Sequence, residues 1–334
     1  MAKQKLPENL QLKKLRLGPV VMKIRNALKI TGLLGLLGFG IVALICGVAQ
    51  RDPLWLLPAP RHDLSADRKT LEPFEGRRME HVSLHGGGLG DIGFVVSLPA
   101  LRSTKKLPVL VVLGGLNKGE NNIRYIKYAG NNAIVGYDWP LPVKFPDTKD
   151  FPFQAPGLYR HALTVPGQIA SMVYWLSKQP WADASRISLL GFSLGALATP
   201  AAQALIEHDG QHIGWTIIAY GGAPFGQLFV ANPYMKLGWI RAVAPPLIDT
   251  LLYPLEPTVH LPRLKGRFLV LEGTDDEFVP EEARRRLREA VPEPKTIITF
   301  TGTHIGVGPY HLALLERIID TSRKWLIENG AVNP

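Results

Sequence analysis

The first unbroken apolar stretch of the chain runs from Ile30 to Ala49, twenty residues without a charge. Helical at 1.5 Å per residue, such a stretch crosses a hydrocarbon core of about 30 Å. Residues 30–49 are therefore expected to be a transmembrane helix or signal anchor. The cleavage-like Gly47-Val48-Ala49 keeps a removed signal peptide as the alternative, although the charged lead of 29 residues is long for one. Residues 50–78 are rich in proline and charge and are expected to form a linker.

From residue 79 the pattern changes to apolar runs of strand length alternating with helical periods, and a single domain over 79–334 is expected. HVSL at 81–84 and IGFVVSL at 92–98, separated by glycines, predict a hairpin. PVLVVLGG at 108–115 and NAIVGYD at 132–138 are continuous apolar runs, the pattern of strands covered on both faces. Strands are expected also at 186–191, 215–222, 267–273 and 296–300, and helices at 162–178, 281–291 and 309–330. This alternation predicts an α/β domain with a mainly parallel central sheet flanked by helices. Residues 223–262, between two expected strands, are apolar, aromatic and proline-rich. They suggest a cap-like insertion carrying Phe225, Phe229, Tyr234, Trp239 and Tyr253, with helices packed on the sheet as the plainer reading.

Charge changes the picture at one end only. The chain carries a formal +10 over 334 residues. Residues 1–29 hold eight Lys and Arg against Glu8, so +7 belongs to a short basic tail and +3 to everything else. A nucleic-acid partner is not expected, because that would need a basic face on the folded domain. A basic tail before an apolar run predicts that the tail stays cytoplasmic and the domain lies on the far side of the membrane. The lone Cys46 excludes a disulfide framework and a cysteine-based zinc site.

Candidate chemistry centres on Gly191-Phe192-Ser193-Leu194-Gly195, directly after an apolar strand and before the small-residue run Ala196-Leu197-Ala198. A serine on so tight a strand-to-helix turn needs small neighbours two residues away on either side, which the glycines supply. A serine hydroxyl needs a base to become a nucleophile. His304, on a loop after the last expected strand, is the candidate, with His311 as the alternative. An acid is expected after strand 267–273, in Gly273-Thr274-Asp275-Asp276-Glu277-Phe278-Val279-Pro280. Asp276 fits the spacing best and Asp275 is the runner-up. Donors for an oxyanion are expected from the N–H of Leu194 and from Gly115 or Leu116 after strand 108–113. His85-Gly86-Gly87-Gly88 also resembles an oxyanion sequence, but its place in the expected hairpin makes it a glycine turn.

Taken together these residues resemble the α/β-hydrolase superfamily, in its dienelactone-hydrolase-like and prolyl-oligopeptidase-like branch. The stretch from Tyr174-Trp175-Leu176 through Gln179-Pro180-Trp181, Asp183 and Arg186-Ile187 to Gly191–Gly195 carries the likeness. Dienelactone hydrolases have a cysteine where this chain has Ser193, and the propeller of prolyl oligopeptidases is absent from this sequence. The resemblance implies a Ser-His-Asp triad of Ser193, His304 and Asp276, acting without metal or cofactor. The expected activity is hydrolysis of a small-molecule or lipid ester through an acyl-enzyme by a membrane-anchored serine hydrolase. Thioester, acyl-transfer or peptide chemistry on the same residues, and a non-catalytic binding domain, are the alternatives.

Overall fold

The computed structural model describes residues 52–101, 104–115, 118–127, 129–140, 151–233, 240–306 and 311–334, together with scattered positions between 32 and 47. The chain divides into two units, 1–47 and 48–334. In the first, the described residues are helical, and the side chains of Leu33, Leu36 and Phe39 are 68%, 72% and 72% exposed. The tail 1–29 and part of the 30–49 run lie outside the described residues. Among the described residues, no helix is long and apolar enough to cross a membrane.

The second unit is built on one sheet of nine strands. They are β1 (Ser65–Phe74), β2 (Arg77–His85), β3 (Ile92–Pro99), β4 (Leu107–Leu113), β5 (Ala133–Tyr137), β6 (Ala182–Phe192), β7 (Trp215–Ala219), β8 (Arg267–Gly273) and β9 (Lys295–Phe300). Their order across the sheet is β1-β2-β3-β5-β4-β6-β7-β8-β9. The first three strands form an antiparallel meander that joins β5 antiparallel; from β5 onward every pairing is parallel. The expected mostly parallel sheet is thus present, with an antiparallel flank.

The helices are α1 (Gly119–Arg124), α2 (Phe151–Ser177), α3 (Leu194–His208), α4 (Phe225–Ala231), α5 (Ile240–Leu251), α6 (Pro257–His260), α7 (Glu281–Ala290) and α8 (Leu312–Glu328). Strand alternation divides their work. Val109, Val111 and Leu113 of β4 join a core with Ile169, Met172 and Leu176 of α2 and Leu205 of α3. Leu110 and Val112, on the other face, pack with Ile123 of α1 and with Ile318, Trp325 and Leu326 of α8. A strand buried on both faces can be apolar at every position, which is why β4 reads as an uninterrupted run.

Two expectations need correcting. The segment 50–78 is not a linker throughout, because Ser65–Phe74 forms β1, paired with β2, and Leu57 enters the core. β1 escaped notice because it is an edge strand with almost every residue exposed, so no apolar alternation marks it. Helix α2 also begins at Phe151, well before residue 162; Pro156 and Pro166 inside it interrupt the pattern. The cap-like segment is held to the body at several points: Phe225 packs against the first core, Leu255 is part of it, and Leu261 joins a third core with Phe268 and Leu287. Tyr234 and Trp239 lie outside the described residues.

Candidate active site

Three parallel strands end where the candidate residues stand. β6 stops at Phe192, and Ser193 follows at φ +54° and ψ −114° before α3 begins at Leu194. A positive φ is rare for a side-chain-bearing residue. Here close packing enforces it. A Cβ at Gly195 would fall 1.8 Å from the carbonyl oxygen of Leu113, and one at Gly191 would fall 2.2 Å from Thr199 Oγ1. The turn is therefore pressed against β4 at Gly195 and against α3 at Gly191, so closely that only glycine fits at either position. The Ser193 N–H donates to the Ala219 carbonyl at 2.9 Å, tying the turn to β7.

Ser193 Oγ lies 2.7 Å from His304 Nε2. His304 Nδ1 lies 2.8 Å and 3.0 Å from the two carboxylate oxygens of Asp276. A carboxylate only accepts, so the imidazole proton belongs on Nδ1 and leaves Nε2 free to accept the serine proton. The Asp276 side chain is 1% exposed and that of His304 13%. Asp276 Oδ1 also accepts the N–H groups of Phe278 and Val279, at 2.9 and 3.0 Å. These donors support the buried negative charge.

The neighbouring candidates separate clearly. Asp275 is exposed, and its carboxylate accepts from Thr274 Oγ1 at 2.7 Å. Glu277, not singled out from the sequence, accepts the backbone N–H of His304 at 3.0 Å. His311 stands just before α8, and Ser193 meets His304 instead. The His85–Gly88 segment lies in the turn between β2 and β3, with Gly86 and Gly87 at positive φ.

Leu194 opens α3, and its N–H is among the first of that helix, which intrahelical bonding leaves unsatisfied. Gly115 lies just beyond β4, the strand against which the turn packs. Leu116 falls outside the described residues. Two residues just after β5 reach across: Trp139 Nε1–H donates to the Gly114 carbonyl at 3.1 Å, and Asp138 accepts the Gly119 N–H at 2.5 Å.

Aromatic rings enclose the imidazole. Phe278 lies 5.0 Å from it, and Tyr220 meets it edge-on at 5.6 Å. Tyr220 is itself at φ +58°, and a Cβ on Gly273 would come within 2.9 Å of its ring. Burial, with the Asp276 charge as a second cause, pushes the Tyr220 phenol up to about 12. Nothing in the sequence pattern marked Tyr220 or Glu277, because neither belongs to a spacing that chemistry alone dictates. Among the described residues, no group of three or more His, Cys, Asp or Glu is placed to hold a metal ion.

No protein-family model matches the sequence, and comparison with curated proteins gives no match. Solved structures do share its fold. The acetyl xylan esterase from Paenibacillus sp. R4 superposes with a TM-score of 0.61 at 19% identity, over 82% of this chain and 93% of that one. Acetyl xylan esterase 1 from Thermoanaerobacterium sp. JW/SL YS485 gives 0.58 at 14% identity, over 82% and 92%. The carboxylesterase Cest-2923 from Lactobacillus plantarum WCFS1 gives 0.54 at 15% identity, over 81% and 99%. Strand order, flanking helices and these superpositions together establish that the described residues of the second unit have an α/β-hydrolase fold, the fold of these esterases.

Proposed function

We propose that the protein is a membrane-anchored serine hydrolase acting on carboxylic esters. The observation that carries this reading is the chain of contacts from Ser193 Oγ to His304 Nε2 at 2.7 Å and from His304 Nδ1 to Asp276 at 2.8 Å. In the proposed reaction His304 takes the proton of Ser193 as Oγ attacks the ester carbonyl. Asp276 holds the imidazole in the required tautomer and stabilises its cation. The N–H of Leu194 and that of Gly115 or Leu116 receive the oxyanion. His304 then protonates the departing alcohol, and water, activated by the same base, releases the acid from Ser193. All steps run on side chains and main-chain N–H groups of this chain.

Two of the structural relatives are acetyl xylan esterases, which makes a short acyl group the first substrate to try. For the anchor, the support is the uncharged 30–49 run behind a basic tail, and the exposure of Leu33, Leu36 and Phe39 in its helical residues. In this reading the tail is cytoplasmic and the domain extracytoplasmic.

The test is hydrolysis of aryl esters of graded acyl length, with matched thioesters and anilides, together with covalent labelling by a fluorophosphonate. Labelling confined to Ser193, lost in Ser193→Ala and slowed at least about a hundredfold in His304→Ala, is the expected result. A folded protein that neither labels nor hydrolyses any of these would end the reading. Protease protection of an amino-terminal tag in sealed vesicles tests the orientation.

A further inference from the structure

The loop that carries His304 is held from outside. Gly302 and Gly306 bracket Thr303-His304-Ile305, and Gly302 is at φ +141°, a conformation open to glycine. A segment hinged between two glycines has little stiffness of its own. Its main-chain bonds reach the loop after β8. The Gly302 carbonyl accepts the Asp275 N–H at 3.0 Å, and the Gly302 N–H donates to Thr274 Oγ1 at 3.3 Å. The third bond is at the base itself: the His304 N–H donates to Glu277 Oε2 at 3.0 Å.

The three consecutive acids thus have three different partners. Asp275 takes a hydroxyl in its own loop, Asp276 takes the imidazole ring, and Glu277 takes the main chain of the residue that bears that ring. Glu277 is exposed, and its recorded bond reaches across to the other loop. A helix-capping role does not account for it, since α7 begins four residues later, with Pro280 at its cap position.

We propose that Glu277 is a positioning residue for His304, acting through the main chain while Asp276 acts through the ring. The proposal rests on the esterase reading for its kinetic consequence. The Ser193 backbone cannot shift, because Gly195 is pressed against Leu113 of β4 and Gly191 against Thr199 of α3, so Oγ moves only by rotation about χ1. The imidazole must therefore be brought to the hydroxyl. The contact at Nδ1 fixes the ring's edge, and the Gly302 bonds hold the loop two residues earlier, but neither fixes the backbone of His304 itself. The contact at the backbone nitrogen supplies that hold. Misplacement of a catalytic group by about 1 Å can cost up to about a hundredfold in rate, so loss of the hold on the His304 backbone should be felt in turnover.

Two variants of the full-length protein separate the contact from the charge. Glu277→Ala removes both; Glu277→Gln keeps an oxygen that can accept the same N–H. In Glu277→Ala we expect kcat to fall about tenfold with KM within about twofold, and in Glu277→Gln most of kcat to return. The His304 Nδ1 proton gives a second readout that needs no turnover. Bonded to a carboxylate, it resonates far downfield. It should broaden or move in Glu277→Ala and regain its wild-type position in Glu277→Gln. The proposal is overturned if Glu277→Ala matches wild type in both kcat and this resonance, or if Glu277→Gln is as impaired as Glu277→Ala. It is overturned equally if the loss tracks a fall in melting temperature, which would assign Glu277 to stability. If the wild-type protein hydrolyses none of the esters, the esterase reading fails separately, and the resonance alone still decides what Glu277 does.

Discussion

Ser193 and Tyr220 both hold backbone conformations with positive φ, at +54° and +58°. Such strain costs on the order of 1–3 kcal/mol per residue, and it persists only where the surroundings over-determine it. At Ser193 the surroundings are two glycines that can approach β4 and Thr199. At Tyr220 they are Gly273, which leaves space for the ring, and the carbonyl of Leu271, which accepts the Tyr220 N–H at 2.7 Å. The first device was legible, because a tight turn around a serine demands glycines at fixed spacing. The second was not, because Tyr220 follows β7 and Gly273 ends β8, and only folding brings them together. Among the three acids at 275–277, loop spacing alone favoured Asp276, and it is the one that faces the imidazole; the separate contacts of Asp275 and Glu277 are decided by the course of the loop. Tyr220 leads to a prediction. Its hydroxyl is buried with no hydrogen-bond partner among the described residues. Removing an unpaired buried hydroxyl should leave stability at pH 7 unchanged or raise it by up to about 1 kcal/mol, so Tyr220→Phe should have a urea midpoint at or above wild type. The phenol, pushed up to about 12, keeps its proton where the unfolded chain with its ordinary value near 10 has released it. Its contribution is therefore complete below pH 10 and declines as pH rises through 12. Tyr137, also pushed upward by burial, works in the same direction. Urea midpoints measured from pH 9 to 12 should fall less steeply in Tyr220→Phe than in wild type; an equally steep fall would remove Tyr220 from the account.

Among the elements, those that carry the site were the easiest to read. β4, β7, β8 and the second half of β6 are short, nearly continuous apolar runs because helices cover both faces of the sheet, and the ends of β6 and β8 mark the loops where Ser193 and Asp276 sit. Elements at the periphery gave weaker signals: β1 is polar and exposed, and α2 contains two prolines. One helix has a part in the site that its charge pattern conceals. α7 reads as a solvated helix rich in Glu and Arg, yet Arg284 is turned inward and buried. Its guanidinium donates to the carbonyls of Thr274 at 3.2 Å and Val279 at 3.0 Å, spanning the loop that carries Asp276, and pairs with Glu281 at 2.7 Å. A planar fork can reach two carbonyls and a carboxylate at once; an ammonium group cannot. Arg284→Met should strip donors from both carbonyls and leave Glu281 with Arg288 alone, at a cost of about 2–4 kcal/mol. Arg284→Lys should recover only part of that. Denaturant titration measures the stability of each, and kcat should fall in the same order. Equal stability in Arg284→Lys and wild type would mean that charge, not the fork, holds the loop.

For the molecule as a whole, the question is where the folded body begins. Composition places the boundary near residue 79, where proline and charge give way to alternating runs. The packing places it near residue 52. Leu57 lies in the core beneath α2 and Leu54 packs against the same core. The Leu54 N–H bonds to the Asp52 carboxylate at 3.1 Å, and the Arg61 N–H to Ser171 Oγ of α2 at 2.8 Å. β1 then covers the edge of β2 over most of its length. Composition misleads here because a segment that wraps a finished core needs only an occasional apolar contact, and one buried and one half-buried leucine do not outweigh the prolines around them. A fragment of residues 52–334 should therefore stay in the supernatant without detergent and melt in one cooperative transition. A fragment of residues 79–334 loses Leu57, all of β1 and the first residues of β2. It uncovers a strand edge whose N–H and C=O groups are free to pair with another chain, the usual route to aggregation. It should pellet, or melt well below the longer fragment. Calorimetry and centrifugation of the two side by side make the comparison. If both fragments melt alike, residues 52–78 add nothing to the stability of the domain, and the contacts of Leu57 and β1 are incidental to its folding.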